Sequence, residues 1–225
     1  MHYPNLERGT FLERPNRFIA HVALNGKPVV CHVKNTGRCK ELLVPGAAVG
    51  IQHAPSPGRK TEWDLISVQK GERLINMDAA APNRAFEEWA AKGGFLPGLT
   101  MLKREAVHGD SRFDLYMETA DKRLFAEIKG VTLEKDGVAR FPDAPTARGV
   151  KHLRGLMNCV KQGYEAWAVF VIQMRGVRYM EANRFTHPEF ADAMQEARQA
   201  GVHLLALDCR VTWDEMEIGE PVIIR

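Results

Sequence analysis

Near residue 80 the hydrophobic period of this chain changes, and that change restricts it to an architecture with two differently built halves. From residue 10 to residue 80 the apolar segments are short: 18–24, 28–33, 47–53 and 63–69. Between them stand Asn25-Gly26, Pro45-Gly46, Pro55-Ser56-Pro57-Gly58 and Lys70-Gly71. Segments this short, punctuated this often by turn formers, read as strands. Asn25-Gly26 supplies the positive φ that a two-residue type I′ hairpin requires. About five strands in roughly 70 residues predict a small barrel of the OB-fold kind, although an SH3-like barrel has a similar pattern.

Beyond Met77 the spacing becomes helical. Pro82-Asn83 opens a helix predicted to reach Lys92, with Phe86, Trp89 and Ala90 on one face, and Gly93-Gly94 stops it. Strand-like segments follow at 100–107, 112–118 and 123–129, then a stretch with Gly and Pro that reads as loop as far as Pro145. Thr146 is placed to cap a helix running to about Gln162, with Val150, Leu153, Leu156 and Val160 inward. Residues 166–172 are almost entirely apolar, as in a strand buried on both faces. His187-Pro188 starts a third helix, Gly201 ends it, and 202–207 reads as the last strand. The order α-β-β-β-α-β-α-β implies a mixed sheet flanked by helices. The predicted fold class is therefore α/β overall in two domains, a barrel over 1–80 and a mixed α/β domain over 81–225.

Composition narrows the functional classes. No apolar run approaches the roughly 18 residues that span a bilayer. The segment through Arg17 is polar and contains Pro4 and Pro15, unlike a secretory leader. A cytoplasmic protein with no membrane partner is expected. Cys31, Cys39, Cys159 and Cys209 form no CxxC pair and have no histidine at zinc-ligand spacing, so they read as reduced thiols. The formal net charge is +3, but residues 1–60 hold nine Lys and Arg against three acids. The positive surplus lies in the barrel, where a polyanion would find it.

The chemistry-bearing group falls on two neighbouring strands. Alternation puts Phe113, Leu115 and Met117 on one face and Arg112, Asp114 and Tyr116 on the other. In the next strand Leu124, Ala126 and Ile128 share a face, opposite Phe125, Glu127 and Lys129. With 119–122 as a hairpin loop, Glu118 faces Arg123, Asp114 faces Glu127 and Arg112 faces Lys129. Two carboxylates about 4 Å apart at an effective dielectric near 20 repel by roughly 4 kcal/mol. A hard divalent ion such as Mg²⁺ or Mn²⁺, held with water, offsets that and suits phosphodiester chemistry. Lys129 on the same side would neutralise charge developing on a phosphate. A solvent-facing strand can also carry these three residues with no role.

Asp on one strand with Glu-x-Lys on the next resembles the PD-(D/E)xK nuclease superfamily. A closer resemblance spans essentially the whole chain. It rests on Asn35-Thr36-Gly37-Arg38, Pro82-Asn83-Arg84, Ser111-Arg112-Phe113-Asp114, the run Glu127 to Leu133, the run Phe141 to Gly149 and Lys151-His152-Leu153. These segments are similar to the sugar fermentation stimulation protein A family. The chain departs from the usual pattern at Cys39-Lys40 and at Gly130, without losing a charged site residue. The resemblance implies an N-terminal OB-fold, a C-terminal restriction-endonuclease-like domain, DNA binding and a role in regulating sugar metabolism.

Further residues complete the expectation. Glu87 on the first helix is a candidate third metal ligand beside Asp114 and Glu127, with Glu88 and Glu105 as alternatives and Asn83 one turn earlier. Arg148, Lys151 and His152 fall at i, i+3 and i+4 and form a basic stripe, joined by Arg154, that suits a phosphate backbone. In the barrel Arg14, Arg17 and Arg38 are candidate phosphate contacts. Phe11, Phe18 or His32 would stack on bases, unless they belong to the core. Two functions compete: a Mg²⁺- or Mn²⁺-dependent DNA nuclease, and a DNA-binding regulator without catalysis. A sugar-binding module is the outlying alternative. Single- or double-stranded DNA both remain open, and a homodimer is the assembly to test.

Overall fold

The computed structural model describes residues 1–35 and 37–225. Its first part is a closed barrel. β1 (Leu6–Asn16), β2 (Ile19–Leu24) and β3 (Lys27–Val33) form an antiparallel meander. β4 (Ala48–His53) pairs with β1, and β5 (Trp63–Lys70) pairs with β4. A parallel β3–β5 ladder closes the ring in the order β1-β2-β3-β5-β4, and β6 (Arg73–Asn76) extends β5. Asn25 and Gly26 both have positive φ, as the hairpin between β2 and β3 demands. Phe11, Val22, Cys31, Ile51 and Leu65 fill the interior.

The second part is a six-stranded sheet between helices. α1 (Ala81–Ala91) is followed by β7 (Met101–His108), β8 (Ser111–Glu118) and β9 (Arg123–Val131). A hairpin of β10 (Leu133–Lys135) and β11 (Val138–Phe141) comes next, turning on Asp136 and Gly137, both at positive φ. α2 (Ala147–Lys161), β12 (Glu165–Ile172), β13 (Tyr179–Ala182), α3 (Pro188–Gln199), β14 (His203–Val211) and β15 (Met216–Val222) complete the chain. The large sheet runs β15-β14-β12-β9-β8-β7, and β10-β11-β13 make a small separate one. The predicted α-β-β-β-α-β-α-β frame is present. The stretch expected to be loop to Pro145 contains the hairpin, and 202–207 belongs to a longer strand that is not the last.

α1 packs on one face of the sheet with Leu115, Met117, Leu124, Ala126 and Ile128. α2 and α3 cover the other face, over Phe113, Phe125 and Phe170, in a core continuous with the barrel interior. Phe113 therefore does not share the face of Leu115 and Met117, contrary to simple alternation. Its ring meets that of Phe125 at 5.3 Å. The strand changes face at Asp114.

Polar links tie the two parts together. Buried Gln173 donates to Asn76 O, Asn76 Oδ1 and Asp78 O, each at 3.0 Å. Buried Glu134 accepts from Lys70 Nζ at 2.8 Å. Asp78 takes Lys34 Nζ at 2.6 Å and the Ala80 N–H at 2.9 Å, fixing the chain as it enters α1. All four cysteines are free and buried. Burial pushes the thiols of Cys31 and Cys39 up to about 12 and that of Cys159 to about 11. Among the described residues no helix is long and apolar enough to cross a membrane.

Candidate functional site

The site lies where the sheet splits. β8 and β9 pair from Glu118↔Arg123 to Leu115↔Ala126, in the register expected from the hairpin, and the ladder ends there. On its other side β8 pairs with β7 at Arg104↔Leu115 and again at Ala106↔Phe113, skipping Glu105 and Asp114. Glu105 stands at φ 50°, in the left-handed region that breaks a strand. Asp114 is thus flanked by interrupted ladders on both sides, and its carboxylate replaces the missing backbone partner. Oδ2 accepts the Ile128 N–H at 2.7 Å, and Oδ1 accepts from Asn83 Nδ2 at 2.8 Å. A buried amide at an opened edge needs such an acceptor. The expected Arg112–Lys129 pairing does not form, because the strands have parted; Arg112 instead lies 3.7 Å from Glu105.

Glu127 is buried on the α2 face of β9. One of its oxygens is crowded and the other bare. Oε1 accepts from both Lys129 Nζ and His152 Nδ1, whereas Oε2 is buried without a hydrogen-bond partner. Burial pushes the Glu127 carboxyl upward, but the His152 hydrogen bond and the Lys129 charge outweigh it and hold the group below the usual carboxylate range. Asp114 is displaced the other way. Burial and then the Glu127 charge raise it, against the Ile128 amide, Lys129 and Asn83. The pair carries two negative charges against the single fixed positive charge of Lys129, which is taken up on Glu127 Oε1.

That deficit bears on the expected metal. Two carboxylates, one with a buried lone-pair oxygen left over, fit a hard ion that retains several waters. Among the described residues no group of three or more His, Cys, Asp or Glu converges as a full cage. The expected third ligand does not complete one. Glu87 forms a two-point ion pair with Arg104, Nε to Oε1 at 2.7 Å. Glu88 pairs with the N-terminal amine at 3.0 Å, and Glu105 faces Arg112. Glu87 and Asp114 nevertheless line one open cleft of about 550 Å³ with Asn83, Arg84 and Arg104. A second cavity, about 300 Å³, lies between Gly37 of the barrel and Gly130, Asp143 and Thr146.

The basic residues divide in a way their spacing did not reveal. Thr146 caps α2 as expected, accepting the Gly149 N–H at 3.0 Å, a contact worth about 1 kcal/mol. Arg148, Lys151 and Arg154 are exposed, although the Nε of Arg148 reaches back to His152 Nε2 at 3.3 Å and Arg154 meets Glu189 at 3.2 Å. His152 does not share their surface: it is buried and points at Glu127. Arg14 is not a free cation either. Its guanidinium donates to the carbonyls of Arg17, Asn35, Gly37 and Arg38 at 2.7 to 3.1 Å. Arg17 is exposed over the Phe18 ring at 4.8 Å, and Arg38 is exposed. Part of the turn expected to present Arg38 falls on Thr36, outside the described residues. Phe11 is core, Phe18 is 44% exposed, and His32 lies 3.5 Å from Asp64.

Three contributors escaped the sequence reading: the Ile128 amide, Arg104 as the partner of Glu87, and the need for glycine at 130. A Cβ on Gly130 would stand 2.5 Å from Gln173 Oε1 and 2.7 Å from Pro82 Cγ. A glycine directly after Glu-x-Lys was the available signal, since glycine inside a strand marks a close approach.

Comparison with known proteins matches this architecture half by half. Residues 12–77 match the model of the SfsA N-terminal OB domain, and residues 80–215 match that of the sugar fermentation stimulation protein RE domain. A sugar fermentation stimulation protein homolog of Ruminiclostridium cellulolyticum is 52% identical over 225 residues, covering 100% of both chains. One of Desulfitobacterium hafniense is 54% identical, over 100% of this chain and 98% of that one. SfsA of Pyrococcus furiosus, solved in complex with Ca²⁺, superposes with a TM-score of 0.90 at 27% identity, over 100% of this chain and 98% of the other. The chain belongs to the sugar fermentation stimulation protein family.

Proposed function

We propose that this protein binds DNA and cleaves its phosphodiester bonds with the help of Mg²⁺ or Mn²⁺ held by Asp114 and Glu127. The observation that carries this reading is the buried, unpartnered Oε2 of Glu127 beside a second carboxylate whose own charge is disfavoured by burial and then by Glu127. The Ca²⁺ of the Pyrococcus furiosus relative supports it, because Ca²⁺ and Mg²⁺ both favour oxygen ligands. A bound divalent ion would activate water and stabilise negative charge on the phosphate.

The protein's own residues have separable roles in this scheme. Asn83 and the Ile128 N–H orient Asp114, so that its carboxylate is fixed before substrate arrives. Lys129, 19% exposed at its side chain and anchored on Glu127 Oε1, would set a positive charge beside the two carboxylates, where the phosphate becomes more negative. Arg148 and Lys151, exposed on the first turns of α2, bind the flanking backbone, and Arg17 and Arg38 extend the track onto the barrel. Glu87, already engaged by Arg104, shapes the cleft wall.

The test is a time course on duplex and single-stranded DNA with Mg²⁺, Mn²⁺ or chelator. Cleavage is expected only with metal, to vanish in Asp114→Asn and Glu127→Gln, and to fall steeply in Lys129→Ala. Cleavage that survives all three substitutions would overturn the assignment. A second reading, DNA binding without catalysis, is favoured by the two-carboxylate count and the occupied Glu87. It expects salt-sensitive retention of DNA in the wild type and in Glu127→Gln, with no cleavage by either.

A further inference from the structure

We propose that His152 is a positioning residue: it donates Nδ1–H to Glu127 Oε1 and thereby leaves Oε2 as the oxygen that would hold a divalent ion, with Arg148 fixing which ring nitrogen carries the proton. The inference rests on the proposed metal site and names the device that orients it. Its basis is the chain of contacts from the surface to Glu127. Arg148 Nε lies 3.3 Å from His152 Nε2, and His152 Nδ1 meets Glu127 Oε1. A guanidinium can only donate, so Nε2 must accept, and in a neutral imidazole the proton then resides on Nδ1. That tautomer delivers a donor to Glu127.

Lys129 reaches the same oxygen, and its Nζ stands 3.4 Å from His152 Nδ1. An ammonium has no acceptor to offer, so this long contact is a juxtaposition of two donors whose protons both go to the carboxylate, the stronger acceptor. Two donors from different elements, β9 and α2, thus converge on Oε1, and none reaches Oε2. A lysine alone would leave the carboxylate free to rotate about its terminal bond, because its ammonium is a point charge on a flexible stem. The imidazole is buried and is held at its other nitrogen by Arg148, so it restrains such a rotation. Hydrogen-bonded partners behind a ligating carboxylate commonly set its metal affinity in this way. The same link gives Arg148 two tasks, since its Nε is directed inward while the residue itself is exposed.

Mn²⁺ titration followed by electron paramagnetic resonance, together with ¹⁵N shifts of the His152 ring, tests the proposal on the full-length protein. The metal-free wild type should show the Nδ1–H tautomer, and Arg148→Gln should lose that preference while remaining folded. Mn²⁺ affinity should fall about tenfold in His152→Ala and recover in large part in His152→Asn, whose amide nitrogen replaces Nδ1. An Nε2–H ring in the wild type, or undiminished Mn²⁺ affinity in a folded His152→Ala, would overturn it. If the wild type binds no Mn²⁺, the metal reading of the site fails by itself. The ring tautomer and its dependence on Arg148 then decide whether His152 orients Glu127.

Discussion

Around the barrel each strand from β1 to β5 has a hydrogen-bonded neighbour on either side, whereas at Asp114 two ladders of the large sheet stop together. The barrel pairs its strands all the way round, and even its Arg14 is given over to backbone, donating to the carbonyls of Arg17 and of Asn35, Gly37 and Arg38. The sheet leaves an amide, that of Ile128, to be met by a carboxylate. Closure leaves the barrel only its outward side chains with which to meet a partner. Where the sheet opens, Asp114 lines a cleft while Glu127 is buried behind it with Lys129, and charges so placed interact more strongly than on a wet surface. If the division is right, substitutions in the cleft should change chemistry, and those in the barrel should change stability or binding.

The largest effect is expected at Lys129. Lys129→Ala should lower metal-dependent cleavage by about a hundred- to a thousandfold, with DNA affinity little changed, as read by single-turnover assays beside gel retardation. The comparison breaks if Arg38→Ala costs as much cleavage at saturating DNA, because the barrel would then take part in the chemical step.

Much of this arrangement is legible in the sequence, for reasons that particular residues make clear. α2 is predictable to within a residue because Thr146 caps it and its apolar positions recur at helical spacing. The β8–β9 register follows from one short loop, and it holds until Leu115. β1 does not stand out in the sequence, because only Phe11 in it is buried and no alternation announces a strand. β15 contains Gly219 and Pro221, which suit an edge strand and argue against a central one. The face change at Asp114 is invisible to periodicity, since it depends on the backbone of Glu105 in another strand. His152 looked like the third member of a basic stripe, because helical spacing locates a residue on a face without saying that the face meets Glu127.

Arg14 offers the next largest effect and a direct challenge to the division. Four carbonyls of the 17–38 region share its guanidinium. Arg14→Ala should therefore lower stability by about 2 kcal/mol, measured as a shift in the urea midpoint. A reduced salt slope of DNA binding with an unchanged midpoint would return Arg14 to the phosphate track and weaken the contrast between the two regions.

The joint between the regions should respond to acid. Burial pushes the Glu134 carboxyl up, but Lys70, the Gly137 N–H and Arg73 prevail and hold it below the usual range. A carboxylate depressed in the folded state contributes stability above its unfolded pKa and loses it as pH falls through the lower, folded value. The window lies below about pH 4.5. Glu134→Gln should flatten the acid limb of a stability profile there and leave the limb above pH 6 parallel to the wild type. An unaltered acid limb would mean that the ion pairs do not link the barrel to the small sheet energetically.

The smallest effect sharpens the comparison most, because it asks whether the outward face of α2 belongs with the cleft or with the barrel. Lys151 is exposed and makes no ion pair among the described residues, so its charge is available to a phosphate. One phosphate contact contributes about 0.9 to the slope of log affinity against log salt on duplex DNA. Lys151→Ala should reduce that slope by about that amount, and Arg38→Ala by a similar one, each costing only a few-fold in affinity at moderate salt. Equal slopes from a helix of the sheet and a loop of the barrel would mean that one DNA backbone crosses both. A loss at Lys151 with none at Arg38 would confine the track to α2 and leave the barrel's positive charge without a nucleic-acid role. Additivity in the double variant marks a single continuous path, since with two alternative paths each single substitution would be masked by the other and the double variant would lose more than the sum.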